Sequence, residues 1–198
     1  MVNYIFIGDS NLFYQDPMQF PWSLFCDEQC TASMIAKQMD QDYYPFPLYT
    51  LNINWENVTR LKALVGALGK HQPVSIVLWI GQSDAWSISS SQHAGADQEK
   101  SINLALQRVD KFITTIQHIH PFQNIFILEY HDHSSMASND LYVRLSQGIL
   151  QHLKYLVPEA KTISMPAVND QMYVDGSHLN RSSQQLVADH VVTLIQEE

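Results

Sequence analysis

The sequence predicts an α/β protein in which a parallel five-stranded sheet carries helices on both faces. Short apolar runs and amphipathic helical stretches alternate five times along the 198 residues. The run at 74–80 is apolar almost throughout, as in a central parallel strand that is buried on both faces. Because parallel crossovers are right-handed, few topologies remain, and the strand order 2-1-3-4-5 is favoured. We expect one domain over residues 1–198.

The first half of the chain supplies two strands and two helices. Residues 2–7 form an apolar run that predicts the first strand, which ends at Gly8-Asp9-Ser10. A helix is expected from about 22 to 39. Pro45 and Pro47 are expected to break the chain, so that the second strand covers 48–53. Asn54 is placed to cap the next helix, whose apolar residues from 58 to 68 recur at helical spacing.

The second half continues the alternation. The third strand, 74–80, ends at Gly81-Gln82-Ser83-Asp84, and the Ser-rich stretch 85–95 is predicted to be a loop. Helices are expected at 97–118, 140–156 and 181–196, each with apolar residues on one face. The fourth and fifth strands are expected at 124–130 and 161–165.

Composition and charge limit the classes of partner. A net charge of −9 argues against nucleic acid or an anionic membrane surface, because both require basic patches. No apolar run reaches the length of a membrane-spanning helix, and the N-terminus has no secretory pattern, so we expect a cytoplasmic protein without membrane insertion. The sequence leaves the oligomeric state open.

Neither the cysteines nor the histidines form a strong metal motif. Cys26 and Cys30 are spaced for one side of a helix and are expected to be reduced, packed thiols. In His131-Asp132-His133, strand alternation puts both imidazoles on one side, so a metal site is an alternative to a solvated loop. We predict no metal and no cofactor.

The strongest chemical signal joins the two ends of the chain. Ser10 follows the first strand, and ligands of open α/β sheets bind beyond the carboxyl ends of the strands. Asp175 and His178 are three residues apart before the last helix, so a carboxylate there can orient an imidazole that acts as a base. Serine, histidine and aspartate in these roles predict nucleophilic catalysis, although Asp-x-x-His alone is a weak motif.

In these residues the chain resembles the GDSL, or SGNH, family of serine hydrolases from end to end. Gly8-Asp9-Ser10 resembles the family's first block, Gly81-Gln82-Ser83-Asp84 its third, and Asp175-x-x-His178 with Asn180 its fifth. The resemblance implies a three-layer α/β/α sandwich and cleavage of an ester or thioester through an acyl-serine. It implies that Ser10 is the nucleophile, His178 the general base and Asp175 the acid that orients it.

Two positions depart from the family pattern at the implied oxyanion and substrate site, which comprises Gly81, Ser83, Asp84 and Trp55. The family's third-block Asn, an oxyanion donor, is Ser83 here, and the second-block Gly would fall near Trp55. If the shorter hydroxyl does not reach, the barrier rises by roughly 2.7–4 kcal/mol. Asn11 and Asn54 are alternative donors. Asp84, like Asp9, is either a general acid or, as we favour, a holder of loops through backbone N–H groups.

The leading hypothesis is therefore a serine esterase or acyl hydrolase that acts on a small ester. Acetyl-sugar, phospholipid, thioester and aryl esters all fit the motif. Aromatic side chains that follow strand ends are candidates to line an acyl or aryl pocket: Phe13, Tyr14, Trp22, Trp55 and Trp86. Loss of the third-block Asn supports the alternative of an inactive binding or scaffold protein. A nucleotide binder is disfavoured, because no Gly-rich phosphate cradle follows the first strand.

Overall fold

A computed structural model describes residues 2–13, 30–48, 50–70, 72–91, 98–119, 122–130, 140–167, 169–173 and 178–197. The strands are β1 (Asn3–Gly8), β2 (Tyr44–Pro47), β3 (Val74–Trp79), β4 (Ile125–Leu128) and β5 (Lys161–Ile163). The α-helices within these ranges are α1 (Ser10–Phe13), α2 (Thr31–Gln38), α3 (Trp55–Leu68), α4 (Gln82–Ser91), α5 (Gln98–Gln117), α6 (Asp140–Leu156) and α7 (Arg181–Gln196). A 3₁₀ turn covers Asp170–Met172.

The five strands form one parallel sheet in the order β2-β1-β3-β4-β5, which confirms the predicted topology. Two apolar cores lie on its opposite faces. Ile5 and Ile7 point into the core built with α3, α4, α5 and α6, whereas Phe6 points into the core built with α1, α2 and α7. This alternation is the two-residue period of a strand, and it produces the three-layer α/β/α sandwich.

The second strand is shorter and lies earlier than predicted. Among the residues of the predicted strand 48–53, those that the structure describes, 48 and 50–53, are not in a strand; β2 is Tyr44–Pro47 and contains both prolines. β2 is an edge strand, and the Leu48 N–H donates to the Gly8 carbonyl at 2.7 Å. Since residues two apart face the same neighbour, Pro45 and Pro47 direct their missing N–H groups away from β1. The prolines therefore cost no ladder hydrogen bond.

The Ser-rich stretch after β3 is a helix, so the predicted loop is wrong over residues 85–91. Helix α4 begins at Gln82, and its Ala85 and Ile88 are buried in the core shared with α6. Asp84 lies in the first turn, where a negative charge is favourable. Serine is only a moderately poor helix former, so burial of two apolar side chains outweighs the propensity of the serines.

Helix α2 also begins later than predicted. Cys30 has extended backbone angles and is the N-cap of α2, with its sulfur 3.5 Å from the Ser33 nitrogen. It therefore lies outside the helix that was expected to carry both cysteines. Its buried sulfur lies 3.3 Å from the Tyr43 hydroxyl. Cys26 lies outside the described residues.

The remaining elements agree closely with the sequence. Helices α6 and α7 have the predicted bounds, α3 begins directly after its Asn54 cap, and β4 and β5 are each shorter than expected. Within the described ranges, no helix has both the length and the apolar character needed to cross a membrane. The cytoplasmic location stays a prediction.

Candidate active site

Ser10 lies at the point where β1 turns into helix α1. The Asp9 carbonyl accepts hydrogen bonds from the N–H groups of Leu12 and Phe13, so the helix begins at Ser10 itself. A Cβ at Gly8 would lie 2.5 Å from the Trp79 carbonyl oxygen and 2.8 Å from the Leu12 side chain. Only glycine fits this close approach of β1 to β3, which explains the residue type in Gly8-Asp9-Ser10.

His178 contacts Ser10 from the other end of the chain. Its Nε2 lies 3.1 Å from the Ser10 hydroxyl oxygen, although the residues are 168 positions apart in sequence. This is hydrogen-bond distance, as required of a nucleophile and its general base. The structure thus brings together two of the three residues predicted for the triad, and the imidazole is partly buried.

The segment that carries His178 is tied down on its far side. Leu179 forms an antiparallel bridge with Tyr173, and the Asn180 N–H donates to the Met172 carbonyl at 2.8 Å. The Asn180 side chain donates to the Gln171 carbonyl at 2.9 Å and accepts from the Ser183 N–H at 3.0 Å, which caps helix α7. A single asparagine therefore positions the histidine segment and starts the last helix.

Several predicted site residues lie outside the described residues: Asp175, Tyr14, Trp22 and the residues of His131-Asp132-His133. The side chain of Asn11 is likewise not described. The role of Asp175 therefore stays a prediction. Among the residues that the structure describes, no three His, Cys, Asp or Glu side chains group in a way that could hold a metal ion.

Ser83 is tied to Asp9, the residue before Ser10. Its N–H donates to Asp9 Oδ2 at 3.2 Å, which joins the start of α4 to the end of β1. The partly exposed Ser83 hydroxyl makes no hydrogen bond within the described part of the chain. Asp9 is buried, and this contact supports the loop-holding role predicted for it. The hydroxyl of Ser83 is thus available at the edge of the sheet where Ser10 lies.

Gly81 makes the sharp turn that brings Ser83 there. Its φ of +111° is a conformation that side chains rarely adopt, and a Cβ would lie 2.5 Å from the Tyr130 hydroxyl. That hydroxyl donates to the Ile80 carbonyl at 2.7 Å. Burial, followed by the nearby negative charges of Asp9 and Asp84, raises the pKa of Tyr130 well above its ordinary value of 10.0. Tyr130 is therefore a neutral, partly buried hydrogen-bond donor beside Gly81.

Asp84 holds the segment that follows β2. The buried carboxylate accepts from the Leu51 N–H at 2.7 Å, from the Thr50 hydroxyl at 3.0 Å and from Arg108 Nη1 at 2.7 Å. These contacts show the loop-holding role that the sequence favoured for Asp84. Sequence reasoning missed Thr50 and Arg108. A correct end for β2 would have indicated Thr50, but nothing marks Arg108 among the polar residues of α5.

Because β2 ends at Pro47, the segment that follows this strand, where the second block was expected, begins before Trp55. Trp55 lies in the first turn of α3 with 79% of its surface exposed, whereas the residues that directly follow β2 are 48–53. In this segment the Leu48 N–H donates to the Gly8 carbonyl and the Leu51 N–H to the Asp84 carboxylate. The Asn52 N–H donates to the Thr50 hydroxyl. The Thr50 N–H makes no hydrogen bond to any described residue. Asn54 uses its side-chain oxygen to cap α3, at 2.8 Å from the Asn57 nitrogen.

Comparison with known proteins identifies the fold. No protein-family model and no curated protein sequence matches the chain. A member of the lipolytic G-D-S-L family from Veillonella parvula superimposes with a TM-score of 0.62 at 14% identity, with 100% of both chains covered. An aryl esterase of M. smegmatis gives 0.58 at 12% identity, over 98% of this chain and 99% of that one. Est24, a carbohydrate acetylesterase from Sinorhizobium meliloti, gives 0.53 at 12% identity, over 98% and 99%. The chain therefore has the α/β/α fold of the GDSL, or SGNH, esterases, as its three motifs predicted.

Proposed function

We propose that the protein is a serine hydrolase that cleaves a small carboxylic ester through an acyl-serine intermediate. The observation that carries the proposal is the 3.1 Å contact between Ser10 Oγ and His178 Nε2 at the carboxyl ends of the strands. His178 takes the hydroxyl proton as Ser10 attacks the carbonyl carbon, and then returns it to the departing alcohol. Water, activated by the same imidazole, releases the acid. Asp175 is proposed to orient the imidazole.

Three donors are candidates to stabilise the negatively charged oxygen of the tetrahedral intermediate. They are the N–H groups of Ser10 and Thr50 and the hydroxyl of Ser83, none of which has a hydrogen-bond partner among the described residues. The Ser10 N–H lies in the first turn of a helix, where no intrahelical acceptor exists. Preorganised donors of this kind each lower the barrier by about 3 kcal/mol. Thr50 replaces Trp55 as our candidate for the second-block donor.

The edge of the sheet near Ser10 also offers exposed aromatic surface. Trp55, with 79% of its surface exposed, is the first residue of the helix that follows β2, and Trp86, with 48% exposed, lies in the second turn of the helix that follows β3. Solved structures with this fold include an aryl esterase and a carbohydrate acetylesterase. We propose that the two indoles form the rim that contacts the alcohol part of the ester, because flat apolar rings stack on aryl and sugar rings.

The first test is hydrolysis of p-nitrophenyl acetate and butyrate by the wild type and by Ser10→Ala. We expect Ser10→Ala to lose at least about 10³-fold in kcat, since the nucleophile is gone. Ser87→Ala, which removes an exposed hydroxyl from α4, serves as the matched control and should retain activity. A fluorophosphonate should label the wild type at Ser10 and leave Ser10→Ala unmodified. Unchanged turnover in Ser10→Ala would overturn the proposal.

A second candidate function is a binding protein that keeps the fold without the reaction. Its motivation is Ser83, whose side chain is shorter than the asparagine of the family pattern. This candidate predicts no phosphonylation of Ser10, while small acylated ligands raise the Tm through preferential binding to the folded state. Rapid formation of an acyl-enzyme would eliminate it.

A further inference from the structure

Asp84 spans the strand that carries the nucleophile. It follows β3, whereas its partners Thr50 and Leu51 follow β2, and β1 lies between these two strands. We call the hydrogen-bonded unit of Asp84, Thr50 and Leu51 the strap. Because it crosses the end of β1 at the edge where Ser10 begins α1, its geometry determines where the Thr50 N–H lies relative to the nucleophile.

The strap depends on the Asp84 carboxylate, whose burial costs free energy. Asp84 and Asp9 are each 1% exposed, and both charges act on the buried hydroxyl of Tyr130. A buried ionised carboxylate is tolerated when it is paired and hydrogen-bonded. Arg108 Nη1 supplies the pairing charge at 2.7 Å, from a side chain on helix α5 that is 28% exposed. Arg108 is thus the cationic partner of the strap.

The division of hydrogen bonds between the two oxygens of Asp84 links Arg108 to the loop. Oδ1 receives both Arg108 and the Thr50 hydroxyl, while Oδ2 receives the Leu51 N–H. Arg108 therefore fixes the rotation of the carboxylate about its last bond. Without Arg108 the buried carboxylate loses the cation at Oδ1, so the orientation that serves Thr50 and Leu51 together is less strongly favoured.

We propose that Arg108 is a positioning residue of the hydrolase site, which acts through Asp84 to hold the Thr50 N–H where the oxyanion forms. This inference rests on the proposed ester hydrolysis. Arg108 does not touch the reacting atoms in this scheme. Its effect therefore appears in kcat, because the strap positions a donor that is needed chiefly in the transition state.

The experiment compares Arg108→Gln, Arg108→Lys, Asp84→Asn and the double variant Asp84→Asn/Arg108→Gln on p-nitrophenyl acetate. We expect Arg108→Gln to lower kcat about 10- to 100-fold, with KM changed less than about threefold. Arg108→Lys should recover part of the loss, because it restores the charge without the planar fork. The double variant should be no slower than Asp84→Asn within about threefold, since both changes break one unit.

Lys154→Gln is the matched control. Lys154 pairs with Glu129 at 2.6 Å and joins α6 to the segment after β4, so the variant removes the same charge and a partly buried ion pair. Its kcat should stay within about twofold of the wild type. If Arg108→Gln behaves like Lys154→Gln, or if its effect multiplies with that of Asp84→Asn, the proposal is overturned.

Hydrogen exchange at the Leu51 amide tests the strap without any turnover. Exchange should be faster in Arg108→Gln and Asp84→Asn than in the wild type and in Lys154→Gln, because the hydrogen bond from the Leu51 amide to residue 84 is weakened. If the wild type does not hydrolyse esters, the proposed function fails, but the exchange rates still show whether Arg108 holds the strap in place. If esters are cleaved and Leu51 exchange is unchanged in the variants, only the proposal for the strap fails.

Should Arg108→Gln not fold, Thr50→Val removes one bond of the strap and should lower kcat about 2- to 10-fold. An unchanged kcat would count against the proposal.

Discussion

Replacing Gly81 by alanine should destabilise the protein far more than an ordinary change from glycine to alanine. Gly81 has a φ of +111°, and the new methyl carbon would lie 2.5 Å from the Tyr130 hydroxyl oxygen and 2.7 Å from Ile149 Cγ2. The Tyr130 oxygen is the end of a rigid ring that is hydrogen-bonded to the Ile80 carbonyl, so it cannot move aside without losing that bond. Both backbone strain and overpacking therefore oppose the substitution.

The magnitude follows from these two contributions. A non-glycine residue in a sparsely populated backbone region costs about 1–3 kcal/mol. Overpacking a closely packed site costs about 1–3 kcal/mol more. The free energy of unfolding should therefore fall by about 2–6 kcal/mol, and the Tm by about 4–24 °C, because a chain of this size loses about 2–4 °C per kcal/mol. Ester hydrolysis should fall as well, since Gly81 makes the turn that places Ser83.

The assay is thermal unfolding of Gly81→Ala beside Gly66→Ala and Gly148→Ala. The latter two glycines lie in α3 and α6, with nothing within 4 Å of a new Cβ. Alanine there should raise the unfolding free energy by about 0.4–1 kcal/mol through a lower entropy of the unfolded chain. Tyr130→Phe removes the obstructing oxygen, so Gly81→Ala should cost less in that background. A Tm loss under about 2 °C, or an equal loss in both backgrounds, would refute the steric reasoning.

Three further predictions concern the same site. Asn180→Ala should lower the free energy of unfolding by about 0.5–2 kcal/mol and should lower kcat, because it releases the His178 segment. Asn54→Ala should cost a similar amount of stability but leave kcat within about twofold, as expected of a simple helix cap. Equal effects of the two variants on kcat would contradict this. The pKa of Tyr130 is raised in the folded state, so its contribution to stability is full below about pH 10 and is lost as the pH rises further. In urea unfolding, the free energy of unfolding of Tyr130→Phe should therefore fall less steeply at alkaline pH than that of the wild type. Ser83→Ala should lower kcat at least about tenfold and Ser83→Asn should raise it on simple esters; a fall with Ser83→Asn would show that Ser83 does not occupy the oxyanion position.

Much of the architecture is visible in the residues, because strand and helix periods are local properties. The alternation of Ile5, Phe6 and Ile7 between two cores follows from the two-residue period of a strand, and the run 74–79, apolar except at Ser75, is typical of a strand buried on both faces. The bounds of α6 and α7 agree with the prediction because their apolar spacing is regular. The site could be predicted as far as Ser10 and His178, since motif positions before α1 and α7 converge once the sheet order is known.

Elements whose stability comes from distant partners could not be predicted in this way. Pro45 and Pro47 are compatible with β2 only because it is an edge strand, and being at the edge is a property of the whole sheet. Helix α4 forms from a Ser-rich stretch because Ala85 and Ile88 find a core on neighbouring helices. The burial of these two side chains decides the conformation, and it cannot be predicted from the helix propensities of the local residues.

The sequence by itself thus determined the fold class and the strand order, and it predicted Ser10 and His178 as a pair that the structure brings within 3.1 Å. Only the tertiary structure decided which groups surround them. The contact of Arg108 with Asp84 spans 24 residues, and that of Asp84 with Leu51 spans 33. Such pairs leave no periodic signal, because a single hydrogen bond or ion pair constrains one side chain at each end. Their geometry exists only after β2, β1 and β3 have aligned their carboxyl ends at one edge of the sheet.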